Sequence, residues 1–370
     1  MADGNLMIAN RQWASRPADQ RFTSLTDLNV FCKTLRLASN SRVVSSRRLE
    51  VAPVEGTDNK GLAICDPRGN GYAATHWSFG QIANRAGAPA GYLRDLPAPL
   101  AADCINYGLR FHRDVEEIGI LTTEQSRAEI APVMRAVTGP NYGRIWNATI
   151  TQALVNRFGD GVTGDFKVPG EFGKDVHITK DNTTLYASDR DMFVFLADEK
   201  HRIALPNRRA GRYGDFARGF IVWNSEVGDC TLGFAMFLFD YVCCNRIIWG
   251  AQEYKELRIR HTAGAPDRFL EEIHPTIEAY ANASETGIVN RLKIAQEKKI
   301  DDVAEFLKNR RFTAAQATGV SAAFLADEQR PMESVFDVVT GITAYARQIG
   351  YQDQRVKLER EAGKILDLAA

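Results

Sequence analysis

Apolar residues recur at mixed spacings up to about Ala265 and at helical spacing almost throughout thereafter. Leu28, Phe31, Cys32 and Leu35 predict a helix over Thr26–Ala38, with Ser24 or Thr26 as N-cap. Arg42–Val54 alternates as a strand does, and the turn-forming run Glu55–Gly61 follows. Two short strands, Leu62–Cys65 and Tyr72–Thr75, complete a β-meander. Trp77–Phe111 then reads as three short helices, with Pro89 and Pro97 or Pro99 in first-turn positions.

Farther on, Glu117–Leu121 and Ala128–Met134 read as strands. Trp146–Phe158 reads as a helix capped by Asn147 or Thr149, and Gly159–Gly173 as a glycine-rich loop. Leu185–Leu196 is predicted as β structure bending near Asp189 and Asp191, with Phe193 and Phe195 on one face, and His201–Leu205 as a short strand. A hairpin joins Arg218–Trp223 to Thr231–Phe239 around Asn224–Asp229. Six helices follow: Asp267–Ala281, Glu285–Gln296, Asp301–Lys308, Thr313–Ala326, Ser334–Ile349 and Asp353–Leu368. The expected class is α+β: an antiparallel β-meander core with short helices over 23–265, then an all-α region over 266–370.

Composition narrows the class without choosing a function. The chain has 370 residues, 45% hydrophobic and 25% charged, which excludes wholesale disorder. Its 46 basic residues balance 46 acidic ones, so attraction to nucleic acid has to come from a local patch. The N-terminus lacks the apolar core of a secretion signal. The most apolar stretch, Thr231–Trp249, is broken by Asp240, Asn245 and Arg246, which argues against a bilayer span. A cytoplasmic protein with no membrane partner is expected. The six cysteines form no CxxC pair and read as buried free thiols.

Catalytic signatures are weak. There is no HExxH, no GxSxG and no GxxxxGK[ST]. His177 with Asp175, or Asp189 with Asp191, reads as solvated loop chemistry, so no metal, cofactor or catalytic residue is assigned. An enzyme is the less favoured expectation. Its form would be a small-molecule pocket around Asp189, Asp191, Asn224 and Glu226, whose carboxylates could do acid–base work.

Arginines carry the stronger signal. Arg202, Arg208, Arg209, Arg212 and Arg218 crowd together with Tyr213, Phe216 and Phe220 among them, and Arg246, Arg258, Arg260 and His261 follow. Guanidinium groups for phosphates and aromatic faces for bases are what a single-stranded nucleic-acid groove needs. The plain alternative is a solvated loop whose aromatics turn to the core, and another anionic ligand is the third reading. Arg36, Arg42, Arg47 and Arg48 form a second, weaker cluster. Asn224, Glu226 and Gly228 read first as a structural turn.

Three stretches resemble a phage- and plasmid-encoded family known as domain of unknown function nine hundred and thirty-two. They are Arg218–Gly228 with its Asn-Ser-Glu-Val-Gly run, Cys243–Gly250, and Arg258–His261; Leu185–Met192 also fits the family pattern. The resemblance spans roughly Thr23–Leu368, with Thr138–Tyr142 only a partial match. It implies a mobile-element protein, remotely similar to Rad-type single-strand annealing proteins, which form rings on a β-β-β-α core. The expected function is therefore a non-catalytic, oligomeric recombination protein that binds single-stranded DNA.

Overall fold

A computed structural model describes residues 17–56, 61–112, 116–124, 132–168, 177–181, 183–198, 200–201, 203–208, 212–240, 245–247, 257–282, 286–349 and 352–369. In chain order the first part comprises β1 (Arg21–Phe22), α1 (Leu25–Leu37), β2 (Ser39–Ser45), β3 (Glu50–Pro53), β4 (Leu62–Cys65), β5 (Gly71–Ala74), α2 (His76–Arg85), α3 (Ala90–Asp95) and α4 (Ala98–Tyr107). β6 (Glu117–Thr123), β7 (Val133–Thr138), α5 (Asn147–Phe158), β8 (Phe166–Lys167), β9 (Leu185–Ala187), β10 (Met192–Asp198), β11 (Ile203–Arg208), β12 (Arg212–Asn224), β13 (Leu232–Asp240), β14 (Asn245–Ile247) and β15 (Leu257–Ile259) follow. Helical segments at Ala265–Arg268, Phe269–Ile273 and His274–Asn282 run together, and α6 (Thr286–Glu297), α7 (Val303–Lys308), α8 (Ala314–Glu328), α9 (Val335–Gln348) and α10 (Gln352–Ala369) end the chain.

The α+β class holds. Local chemistry explains several boundaries: Ser24 caps α1 by accepting from the Asp27 N–H, and Thr313 and Ser334 close capping boxes on α8 and α9. Arg42–Val54 is not one strand. A single 3₁₀ turn at Ser46–Arg48 separates β2 from β3, because buried Ser46 and Leu49 both turn inward while Arg47 and Arg48 stay exposed. β3, β4 and β5 form the antiparallel meander, but β5 then pairs parallel with β7 in a sheet ordered β2-β6-β7-β5-β4-β3. The predicted strand Ala128–Met134 falls mostly outside the described residues; β7 begins at Val133.

A second, antiparallel sheet runs β1-β9-β10-β12-β13-β14, with β8, β11 and β15 alongside. The expected hairpin is its centre, with Trp223 opposite Gly233. Only glycine fits there, since a Cβ at position 233 would run into the Trp223 ring. One face buries Met192, Val194, Phe220 and Phe234 under α1, α5 and the 265–282 helices. The other carries Phe193 and Phe195 together with Tyr186, Ile221 and Trp223, as strand alternation predicts. α2–α4 cover the smaller sheet around Ile64, Ile118 and Met134. α6–α10 cluster with Ile203 and Phe216 at the far end of the long hairpins, where the apolar face of α9 is buried. Of the described cysteines only Cys32 is buried as expected; Cys65, Cys104 and Cys230 are half-buried.

Candidate nucleic-acid interface

The two sheets meet where Val227 packs beside Leu121 and Ala136. A β-bulge builds this seam: Leu121 pairs with Ala136 and Thr122 with Met134, so Arg135 is the extra residue and its side chain is re-aimed. Its buried guanidinium lies 2.9 Å from a Glu226 oxygen and donates to the Asp189 carbonyl at 3.1 Å. The other Glu226 oxygen accepts the Asn147 N–H at 2.8 Å. The N-cap of α5 is therefore Trp146, which makes no side-chain bond, and the capping carboxylate comes from a distant turn rather than from Asn147 or Thr149.

Asn224, Glu226 and Gly228 do form the hairpin turn, and the turn is a joint between sheets. Asn224 donates to the Ile145 carbonyl at 2.8 Å, and the Ser225 hydroxyl to the Arg190 carbonyl at 2.7 Å. The Val227 carbonyl accepts from Trp77 at 3.0 Å and from Gln81 at 2.8 Å. Gly228 takes φ +87°, which disfavours any side chain. Arg190 pairs with Asp229 at 2.9 Å over the Trp77 ring. The sequence marks this turn, yet nothing in the local pattern shows that its carboxylate reaches Arg135.

The expected carboxylate pocket does not assemble. Glu226 is buried and committed, Asp191 is buried and accepts from the Ser188 hydroxyl at 2.9 Å, and Asp189 is exposed. A cavity of about 610 Å³ does open at the seam, but its walls are other residues, including Gln81, Arg85, Glu116, Thr138 and Tyr142. Gln81 is already bonded to both Val227 and Val137, and Arg85 pairs with Glu116 at 2.8 Å. Among the described residues, no group of three or more His, Cys, Asp and Glu could hold a metal ion.

The arginine cluster divides. Arg218 is buried at 3% exposure, pairs with Asp198 at 2.8 Å, and lies over the Phe166 and Tyr280 rings. It is a core ion pair and leaves the expected groove, as do Phe216 and Phe220, both fully buried. Arg202 and Arg209 fall outside the described residues. Arg208 and Arg212 face each other in register across the β11–β12 hairpin, Tyr213 follows on β12, and Arg246 is on β14 opposite Phe239. Arg258 is half-buried with its guanidinium 6.0 Å from the Trp223 ring centroid, whereas Arg260 is exposed.

The sequence reading missed an exposed aromatic pair. α4 passes at Gly108 into a wider π-helical turn over Gly108–His112, packed so closely on Ala86 that a Cβ at Gly108 would strike its backbone. The wide turn leaves Tyr107 and Phe111 65% and 73% exposed, with ring centroids 5.4 Å apart. The 3₁₀ turn carrying exposed Arg47 and Arg48 packs against this segment, and Arg110 lies 3.5 Å from the exposed Glu50 carboxylate. Periodicity could have flagged Leu100, Tyr107 and Phe111 as one stripe, but the sequence alone does not say whether a stripe is covered. No family model, no curated protein and no solved structure matches the chain.

Proposed function

We propose that this chain binds single-stranded DNA without catalysing a reaction, as an oligomeric annealing protein of a mobile element. The observation that carries the reading is the Tyr107–Phe111 pair, two large rings held in solvent on a segment against which the turn of exposed Arg47 and Arg48 packs. Exposed rings give bases a sequence-independent stacking platform, and neighbouring guanidinium groups take the phosphates. Arg208 and Arg212, opposed in the β11–β12 register, and the exposed Arg260 are separate candidates for phosphate contact.

Fluorescence anisotropy with short single and double strands at two salt concentrations tests it, with native mass measured alongside. Affinity for single strands should fall with salt by about 0.7 log units per log[salt] for each phosphate neutralised. Replacing Tyr107 and Phe111 together by Ala should weaken binding without changing the oligomer. A changed mass with unaltered DNA affinity would instead make the stripe, which includes half-exposed Leu100, an interface between copies. Removing the charge at Arg208, Arg209 and Arg212 together tests whether that cluster contributes to strand binding.

A further inference from the structure

At the seam lies a buried cation, Arg144. It retains only 9% of its surface, and its Nε and Nη1 are sealed from solvent with no acceptor among the described residues. Two rings hold it: its guanidinium carbon lies 5.2 Å from the Tyr142 centroid and 5.7 Å from that of Trp146. The nearby carboxylate cannot serve it, because Glu226 is already taken by Arg135 and the Asn147 N–H. Two buried positive charges thus share one negative charge. Burying an unpaired charge carries a large penalty, and burial does lower the Arg144 pKa to about 10.

Positive charge continues around it. Exposed Arg36 lies 5.4 Å from the Trp146 centroid and holds the Thr149 hydroxyl. His261 stacks on Tyr142 at 4.8 Å, and exposed Arg260 precedes it. A planar guanidinium can offer a forked pair of hydrogen bonds to an oxyanion, and here the oxyanion has to displace one of the covering rings to reach the sealed nitrogens. The flanking arginines favour two negative charges over one. We infer that Arg144 receives a phosphate-class oxyanion, either free phosphate or a phosphate carried by a nucleotide or strand.

This site does not depend on the stacking patch, so each can fail alone. The test is the melting temperature of the full chain in inorganic phosphate against chloride at matched ionic strength. Phosphate should raise it for the unaltered protein, since a ligand that binds only the folded state stabilises it. Arg144→Met should melt at or above the parent in chloride and lose the phosphate increment. Arg144→Lys keeps a charge without the planar fork and should lose most of that increment; it decides the matter if the Met variant fails to fold. The absence of a phosphate-specific shift in the parent, or an undiminished shift in Arg144→Lys, overturns the assignment. Titrating a short single strand into both variants identifies the source: weakened binding places a strand phosphate at Arg144, and unchanged binding a free or mononucleotide phosphate.

Discussion

Two neighbourhoods of arginine and aromatic side chains use the same ingredients at opposite burial. At the seam, Arg135 is buried, paired with Glu226 and bonded to the Asp189 carbonyl, and Arg190 lies over Trp77 while holding Asp229. At the α4 terminus, the turn carrying exposed Arg47 and Arg48 packs against the segment with two exposed rings. In the first setting the guanidinium joins two sheets, and its removal strands a carboxylate. In the second it can meet a phosphate, and its removal costs the fold little. Arg218 makes the same point, since it counts toward the basic cluster in sequence yet is spent on Asp198 in the core. Clustering along the chain therefore says little about function until burial is known.

The sharpest way to break this contrast is at the seam. Glu226→Gln should cost about 3–5 kcal/mol in denaturant unfolding, because it leaves Arg135 buried and unpaired. A loss under about 1 kcal/mol would mean that the seam is wetter and weaker than its burial implies.

Next in size is a pH effect. Burial, reinforced by the Arg144 charge, lowers the His261 pKa from 6.5 to about 4 against opposing backbone hydrogen bonds. The folded state therefore prefers neutral imidazole, and the unfolded chain binds the extra proton below about pH 6.5. Stability should fall as pH drops from about 6.5 to 4, by roughly 3 kcal/mol in all. His261→Gln should flatten that part of the curve, with melting temperature as the readout. Asp66 adds a loss at still lower pH. Burial alone would raise its pKa, but bonds from Asn70, the Arg68 N–H and Tyr72 outweigh that and hold it well below the usual carboxylate range.

At the patch the effects should be on binding. Tyr107→Ala and Phe111→Ala should each cost about 1–3 kcal/mol of strand affinity if each ring stacks a base. Arg47→Ala with Arg48→Ala should change stability least, within about 0.5 kcal/mol, while lowering the salt dependence of binding. If these two substitutions destabilise the fold as the seam substitution does, the contrast between the regions disappears.

Much of the secondary structure was legible because its causes are local. Ser24, Ser334 and Thr313 cap helices within one turn, and alternation puts Phe193 and Phe195 on one face. Pro97 opens α4, and the Asn224–Asp229 turn closes the central hairpin. Three features escaped for a shared reason. The break at Ser46–Arg48 follows from where Ser46 and Leu49 are buried, the parallel pairing of β5 with β7 joins strands far apart in sequence, and the α5 cap comes from Glu226. Each depends on partners that no local window contains.

By itself the sequence determined an α+β chain, the positions of most helices and strands, and a tight turn at Asn-Ser-Glu-Val-Gly. These rest on spacing, capping and backbone preference, which act over a few residues. Tertiary structure alone decided which arginines are cross-links and which are free to meet a ligand. It sealed Arg135 and Arg218 against buried carboxylates and left Arg47, Arg48 and the Tyr107–Phe111 pair in water. The physical reason is that a charge takes its meaning from solvent access and from the nearest opposite charge, and both are set by chain segments far away in sequence.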